Sequence, residues 1–473
     1  MEVTRNEVGA FEDVGTPPAP LTADANPGAW LGFLYWVYDG LWLAVLLVLS
    51  PWWGTRALLE KPFRAMCRQR LARDTPQLPA SGSRTRFLVH GVSVGEIKAT
   101  KSLVAALRER GEVIITASTD TGMEVARQQY PDLHVVRFPL DPRWVIRRFI
   151  DRLKPDIVVL MELEVWPNFL RVANKRGIPC AIASGRITPS SVKNYSKFGR
   201  TLSQFCRITV FAAQNEEYAR RFVDLGATPD RVVVTGNVKV DGLRVGDLPA
   251  DGPGADMARW IAAAPGQPVL VAGSTHDPEE QMVLTAFLGP HQSAPSSGVP
   301  PRVILAPRHP PRAEDLAETL KASGHDVQRL TELRSGAQEL DTTRPLLVDT
   351  IGELDAIYAA ATLAYIGGSL IEHGGQNMLE AAARGCPTLF GPHVANFTQE
   401  ARLLIDAGAA VQVQDVGELG TKVRELLADP ATLEQMARAG LAAVAAQGGA
   451  TSRTLRALER RCGVPTEPRT GRG

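Results

Sequence analysis

The 473-residue chain has only five cysteines, and none of them forms a C-x-x-C pair. Cys67, Cys180, Cys206, Cys386 and Cys462 are scattered, which argues against a zinc site or disulfide framework and fits a reducing compartment. An excess of one charge is also missing, since 52 Lys and Arg stand against 51 Asp and Glu for a net charge of +1. Nucleic-acid binding usually demands a strong basic excess, so no nucleic-acid partner is expected. Neither G-x-G-x-x-G nor G-x-x-x-x-G-K-[ST] occurs, so dinucleotide hydride transfer and P-loop chemistry are unsupported. H-E-x-x-H is absent too, and His276 has no such partner for a metal site. No short-period repeat marks a solenoid.

Long apolar runs are present once, near the N-terminus. Residues 1–28 are rich in Pro and Ala, acidic, and expected to be a disordered tail. Then follows "WLGFLYWVYDGLWLAVLLVLSPWWG", residues 30–54, apolar apart from Asp39. No basic start or small-residue cleavage site makes it a signal peptide. Its length suffices to span a bilayer, and aromatic residues at both ends suit the lipid–water interface. Against spanning, one aspartate at depth costs about 2.5–3.5 kcal/mol. A membrane anchor, either spanning or partly embedded, with a basic juxtamembrane segment behind it is expected over 29–75; a helix buried in the protein is the alternative. Arg56, Lys61, Arg64, Arg68, Arg70 and Arg73 follow it, which keeps the bulk of the chain cytoplasmic and offers charge to anionic headgroups.

The rest of the chain alternates strand-length apolar runs with helical patterns. The first set is 86–92, 112–118, 134–138, 156–162, 178–184, 209–213 and 232–236. The second is 268–274, 302–307, 346–349, 363–369, 387–391 and 409–413. Many are β-branched on both faces, as strands covered by helices on two sides should be. The spacing predicts two doubly wound, Rossmann-like α/β domains, 84–242 and 267–462, facing across a cleft. A Gly/Pro/Asp-rich linker separates them at 243–266, helices end the second domain, and 463–473 is a tail.

Ligands of such sheets sit at the carboxyl ends of strands, so the polar residues there are the candidates. "HGVSVGE" places Ser93, Gly95 and Glu96 at a helix start. Ser93 and Glu96 have the S-x-x-E form of a capping box, while Glu96 is equally suited to be a general base whose ionised form the helix dipole favours. "MELEVWPN" sets Glu162 and Glu164 two apart, either orienting sugar hydroxyls or simply hydrogen-bonded in place. "TGNVKVDG" brings Asn237 and Lys239 toward the cleft, where Lys239 meets an anion or solvent. In "AGSTHDPEE", Ser274 and Thr275 can donate to an anion or cap a helix. "LAPRHPPR" offers Arg308, His309 and Arg312 to a phosphate or carboxylate, or forms a solvated basic turn. "GGSLIEHGGQNMLEAAA" places Gly367, Gly368, Gly374 and Gly375 before a helix starting near Gln376. That is either a phosphate site with Glu380 toward ribose hydroxyls or an ordinary glycine turn.

In order along the chain, "HGVSVGE" (90–96), "MELEVWPN" (161–168), "AAQNEEYARRFVDLGA" (212–227), "TGNVKVD" (235–241), "STHDPEE" (274–280), "PRHPPR" (307–312) and "GGSLIEHGGQNMLEAAARGCPTLFGPHVANF" (367–397) resemble the Kdo transferase family. Those enzymes move 3-deoxy-D-manno-oct-2-ulosonic acid (Kdo) from CMP-Kdo onto a lipid A precursor. The resemblance implies a GT-B fold, an N-terminal anchor in the inner membrane and inversion at the sugar. It also implies Glu96 as catalytic base and Arg308, Gly352, Glu353, Asn377 and Glu380 on the CMP-sugar side. With Ser274, Thr275, His309, Gly368 and Ser369 these form the expected donor set. Ser93, Gly95, Glu162, Glu164 and Lys239 form the acceptor side. No Asp-x-Asp occurs, so no metal and no cofactor beyond the CMP-Kdo substrate is expected. The alternatives are another membrane-associated GT-B enzyme using a UDP-sugar, or a non-catalytic membrane-tethered binding protein. Two departures from the family are the roughly 28 residues ahead of the anchor and a basic segment without an Arg-Trp-Gly-Glu-Arg-like sequence.

Overall fold

The computed structural model describes residues 29–202, 204–243, 245–246, 254–289 and 299–465. The chain divides into two units, one of Met1–Gly242 with Gly448–Gly473 and one of Leu243–Gln447. The expected tail at 1–28 lies outside the described residues.

In the first unit β1 (Thr85–Gly91), β2 (Gly111–Ala117), β3 (His134–Arg137), β4 (Ile157–Met161), β5 (Cys180–Gly185), β6 (Val210–Ala213) and β7 (Val232–Val234) form one parallel sheet. Their order is β3-β2-β1-β4-β5-β6-β7. Alternation along each strand feeds two cores, as a sheet covered on both faces requires. Leu88, Val158 and Leu160 enter one, and Phe87, Val89, Val159 and Met161 the other. Helix Arg143–Leu153 closes the first face by burying Val145, Ile146, Phe149, Ile150 and Leu153. Helix Pro167–Lys175 lies beside it, begins on a proline, and has its Asn168 and Phe169 N–H groups capped by the Asp141 carboxylate at 2.9 and 2.8 Å.

The second unit has β8 (Val269–Thr275), β9 (Arg302–Pro307), β10 (Gln328–Arg329), β11 (Leu346–Leu347), β12 (Leu363–Ile366), β13 (Thr388–Phe390) and β14 (Ala410–Gln412). These are also parallel, in the order β10-β11-β9-β8-β12-β13-β14. The two-residue edge strand β10 was not among the expected runs.

Two expected boundaries shift. Helix Ala450–Cys462, assigned by sequence to the second domain, returns to the first. Its apolar stripe of Ala450, Leu455, Leu458 and Cys462 joins the core of Val210 and Val233, and Asp241 accepts from the N–H groups of Ala450 and Thr451. The expected linker ends early, because Met257, Trp260 and Ile261 of helix Met257–Ile261 are buried and Asp256 pairs with Arg334 at 2.8 Å.

Helix Ala29–Val48 is long and apolar enough to cross a bilayer, and little of it is buried. One short stretch is held by the first unit. Tyr35 is buried beneath the Arg171 guanidinium at 4.1 Å, Tyr38 donates to Asp141 at 3.1 Å, and Asn168 donates to Asp39 at 2.8 Å. Trp36, Leu41, Leu43, Leu47 and Val48 are exposed. Of the six basic residues after the apolar stretch, Arg56 pairs with Glu60, Arg68 with Asp74, and Arg70 donates to the carbonyls of Ser118 and Phe138. Half of the expected headgroup charge is therefore engaged within the protein.

Candidate active site

Parallel sheets open a crevice where neighbouring strands send their connections to opposite faces. In the first unit that point lies between β1 and β4, and "VSVGE" and "ELE" emerge there. Ser93 caps helix Val94–Ala99, accepting from the Glu96 N–H at 3.5 Å. The Glu96 carboxylate turns back to accept the Ser93 hydroxyl at 3.0 Å and the Val92 N–H at 2.9 Å. The capping box therefore forms, with the backbone donor one residue before the cap.

Burial raises the Glu96 carboxyl above the usual glutamate range. The Val92 N–H and Ser93 hydroxyl oppose the shift, while the charges of Glu162 and Glu164 reinforce it. The donors at the helix start do favour the ionised form, as expected, but desolvation and the two carboxylates, which the sequence did not reveal, outweigh them. A glutamate held above its ordinary range is a stronger base once ionised. The three acidic residues are thus brought together electrostatically.

Glu162 holds a left-handed backbone at φ 55° and pairs with Lys239 at 2.6 Å. Glu164 accepts from the Trp166 indole at 2.8 Å and lies 3.8 Å from His90 Nε2. Sequence reasoning passed over His90, which is fully buried against Phe138, with Nε2 lacking a hydrogen-bond partner. Asn237 caps helix Val238–Asp241 and accepts from Ser184 at 3.2 Å. Ser184 also sits at φ 55°. Left-handed non-glycine residues at two adjacent strand ends each cost about 1–3 kcal/mol, and such strain concentrates at functional sites. Gly95 is exposed on the helix start, and its added Cβ would meet little.

In the second unit the corresponding point lies between β8 and β12. Ser274 again has φ 55°, and Thr275 is buried with its hydroxyl unpartnered. Gly367 passes so close to β8 that a Cβ would stand 2.5 Å from the Ser274 carbonyl oxygen. One residue organises this loop, and sequence reasoning missed it. Glu279 is fully buried and accepts the Gly368, Ser369 and Leu370 N–H groups at 2.5, 3.0 and 3.1 Å. It also accepts the Tyr365 hydroxyl at 2.6 Å and the His276 N–H at 3.0 Å. The available signal was His276-x-x-Glu279, the spacing at which a third-position glutamate reaches back to a backbone N–H.

Ser369 is buried, donating to the Ile366 carbonyl and accepting from the Gly391 N–H, so its hydroxyl holds the loop. Gly368, at φ 67°, accepts the Gly375 N–H and has the His276 ring beside it. The helix after the glycines is Leu379–Ala382, starting three residues later than expected; Asn377 accepts from the Leu379 N–H and donates to Glu380 at 3.0 Å. Arg308 is exposed, with no ion-pair partner among the described residues. Gly352 at φ 113° precedes Glu353, whose one oxygen pairs with Arg334 at 2.9 Å while the other is buried without a partner. Arg312 is taken by buried Glu280.

Three imidazoles gather here. His276 lies 3.9 Å from the His373 ring and 5.6 Å from that of His309. Burial, then His373, depress His276 to about 4, with Glu279 opposing. The unfolded chain binds the proton first, so stability should fall as pH drops from about 6.5 to about 4 and be fully present above that window. Thermal melts across pH 4–7 should show a slope that flattens in His276→Asn. An unchanged slope would remove His276 as its source.

Two parallel seven-stranded units, each with polar groups collected at its switch point, define a GT-B-type enzyme fold. A glycosyltransferase from Rickettsia africae has this fold, with a TM-score of 0.53 at 11% identity over 80% of this chain and 99% of that one. A family model described as 3-deoxy-D-manno-octulosonic-acid transferase matches residues 65–242. The 3-deoxy-D-manno-octulosonic acid transferase of Bordetella pertussis is 37% identical over 78% of this chain and 86% of its own length. That of Haemophilus influenzae is 30% identical over 79% and 86%. The chain belongs to the 3-deoxy-D-manno-octulosonic acid transferase family and is a glycosyltransferase.

Proposed function

We propose that the protein transfers Kdo from CMP-Kdo to the glucosamine hydroxyl of a lipid A precursor, lipid IVA, with inversion at the anomeric carbon. The observation that carries this reading is Glu96, a half-buried carboxylate with a raised proton affinity at the first unit's switch point. The acceptor oxygen attacks the anomeric carbon from the face opposite CMP. The carbon–oxygen bond to the phosphate breaks, CMP leaves with the bonding pair, and the acceptor proton passes to Glu96. Lys239 and Glu162 orient acceptor hydroxyls. Arg308 and His309 compensate the donor's phosphate and carboxylate. Ser274, Thr275, Gly368, Asn377 and Glu380 shape the rest of the donor site, Gly352 and Glu353 bound it, and the charge compensation needs no resident metal.

The N-terminal helix holds the enzyme at the inner membrane, with both units on the cytoplasmic side, where the acyl chains of the acceptor stay in the bilayer. Asp39 stands midway along that helix and is bound to Asn168, a tie that favours a helix lying in the interface over one crossing it. Thermal unfolding tests the donor. CMP at a hundred times its Kd should stabilise the protein by about 2.7 kcal/mol, and UDP should not. Protection by UDP and not CMP would favour a UDP-sugar enzyme. The anomeric configuration of the product, read by NMR, tests inversion.

A further inference from the structure

A concentration of positive charge gathers on two neighbouring helices of the first unit. Helix Arg143–Leu153 carries Arg143, Arg147 and Asp151 at four-residue spacing, hence on one stripe. Neighbouring helix Pro167–Lys175 carries Arg171 and Lys175 at the same spacing. These residues and Arg176 line a cavity of about 350 Å³. Five cations face one acid, and that acid already pairs with Arg176 at 2.6 Å. Like charges four apart destabilise a helix, and here two such pairs are set side by side. Burial, followed by the charges of Arg171, Arg143, Arg207 and Arg147, holds the Lys175 ammonium below the usual lysine range. Arg147 and Lys175 are exposed and have no ion-pair partner among the described residues.

The cavity adjoins the N-terminal helix. Arg171 lies over the Tyr35 ring, and Arg143 stands 3.6 Å from Asp39. Exposed Trp144 lies on the same helix, with the Arg148 guanidinium 5.5 Å from its ring, an amphipathic arrangement suited to the headgroup level.

We infer that this basic cavity is a binding site for the phosphate group of a lipid lying beside the N-terminal helix. The inference rests on the reading of that helix as membrane-bound for its position, and on the cavity's own charge for its chemistry. A phosphate there would be met by Arg143 and Arg147 from one helix and by Arg171 and Lys175 from the other, a donor set that phosphate oxygens accept. Bulk phosphodiester lipid and a phosphomonoester on the acceptor lipid carry the same chemistry.

Full-length protein is floated with vesicles of neutral phosphatidylcholine alone, or of phosphatidylcholine with phosphatidylglycerol or phosphatidic acid. Binding to neutral vesicles reads the helix, and the gain on adding phosphate-bearing anionic lipid reads the cavity. The double variant Arg147→Gln/Lys175→Gln should keep its melting temperature and neutral-vesicle binding. It should lose about thirty-fold of the anionic gain, at about 1 kcal/mol per basic side chain. The control pair Lys61→Gln/Arg64→Gln should retain most of that gain. A stronger gain for phosphatidic acid assigns the site to a phosphomonoester, and an equal gain assigns it to bulk lipid. An anionic gain that survives in the cavity variant, or falls equally in the control, overturns the inference. Failure on neutral vesicles alone would overturn the helix reading and leave the cavity's anionic gain still measurable.

Discussion

Glu96→Gln is expected to lower turnover by about 10²–10⁴-fold, the usual contribution of a general base. Its melting temperature and CMP binding should stay those of the wild type. The amide oxygen takes over the Val92 N–H bond that one carboxylate oxygen makes, and the NH₂ in place of the other oxygen donates to the Ser93 hydroxyl, which turns to accept it, so the capped helix start survives the exchange. Only the ability to take a proton is lost. Ser93→Ala separates the two roles from the other side. It removes the cap and should cost about 1 kcal/mol of stability while retaining most activity. Because burial and neighbouring carboxylates raise the Glu96 carboxyl, the acidic limb of kcat/KM should lie above the ordinary glutamate range, with activity falling as pH decreases through it. A Glu96→Gln enzyme that turns over normally would leave the carboxylate with its capping role alone.

Glu279→Ala should do most of its damage to the second unit. The fully buried carboxylate gathers four backbone N–H groups and the Tyr365 hydroxyl. Leaving even two buried donors unsatisfied costs about 2–6 kcal/mol, at about 1–3 kcal/mol each. Denaturant unfolding should register that loss, and donor affinity should fall with it, since the Gly367–Ser369 turn loses its anchor. Glu279→Gln preserves shape but turns an NH₂ toward N–H donors, so its loss should be intermediate. Stability equal to wild type in Glu279→Ala would mean that the loop is held by other contacts.

Both sheets were legible because their strands are apolar on both faces, so runs such as Phe87–Val89 and Ile157–Met161 stand out against polar helices. Gln328–Arg329 carries no such run, and β10 is visible only through its pairing with β11. The polar residues at strand ends were legible for a topological reason, since a parallel sheet sends its loops to one edge. Glu279 was harder to find. Nothing in "HDPEE" reveals that the carboxylate turns inward to meet N–H groups about ninety residues later. Nor does an amphipathic stripe say which core it joins, which is why helix Ala450–Cys462 was assigned to the nearer unit in sequence. The proton affinity of Glu96 was underestimated because a helix terminus is visible in a sequence, whereas desolvation by burial and the charges of carboxylates far away in the chain are not.

That returning helix also sets the order in which the protein can be made. The second unit is one uninterrupted segment, Leu243–Gln447, whereas the first needs both ends of the chain. During vectorial synthesis the ribosome releases the whole second unit before it delivers the Ala450–Cys462 stripe that seals the Val210 and Val233 core. The half begun first is the half finished last. Until the last residues emerge, its apolar face must wait open, and a chain cut short near residue 447 would carry that exposed face permanently.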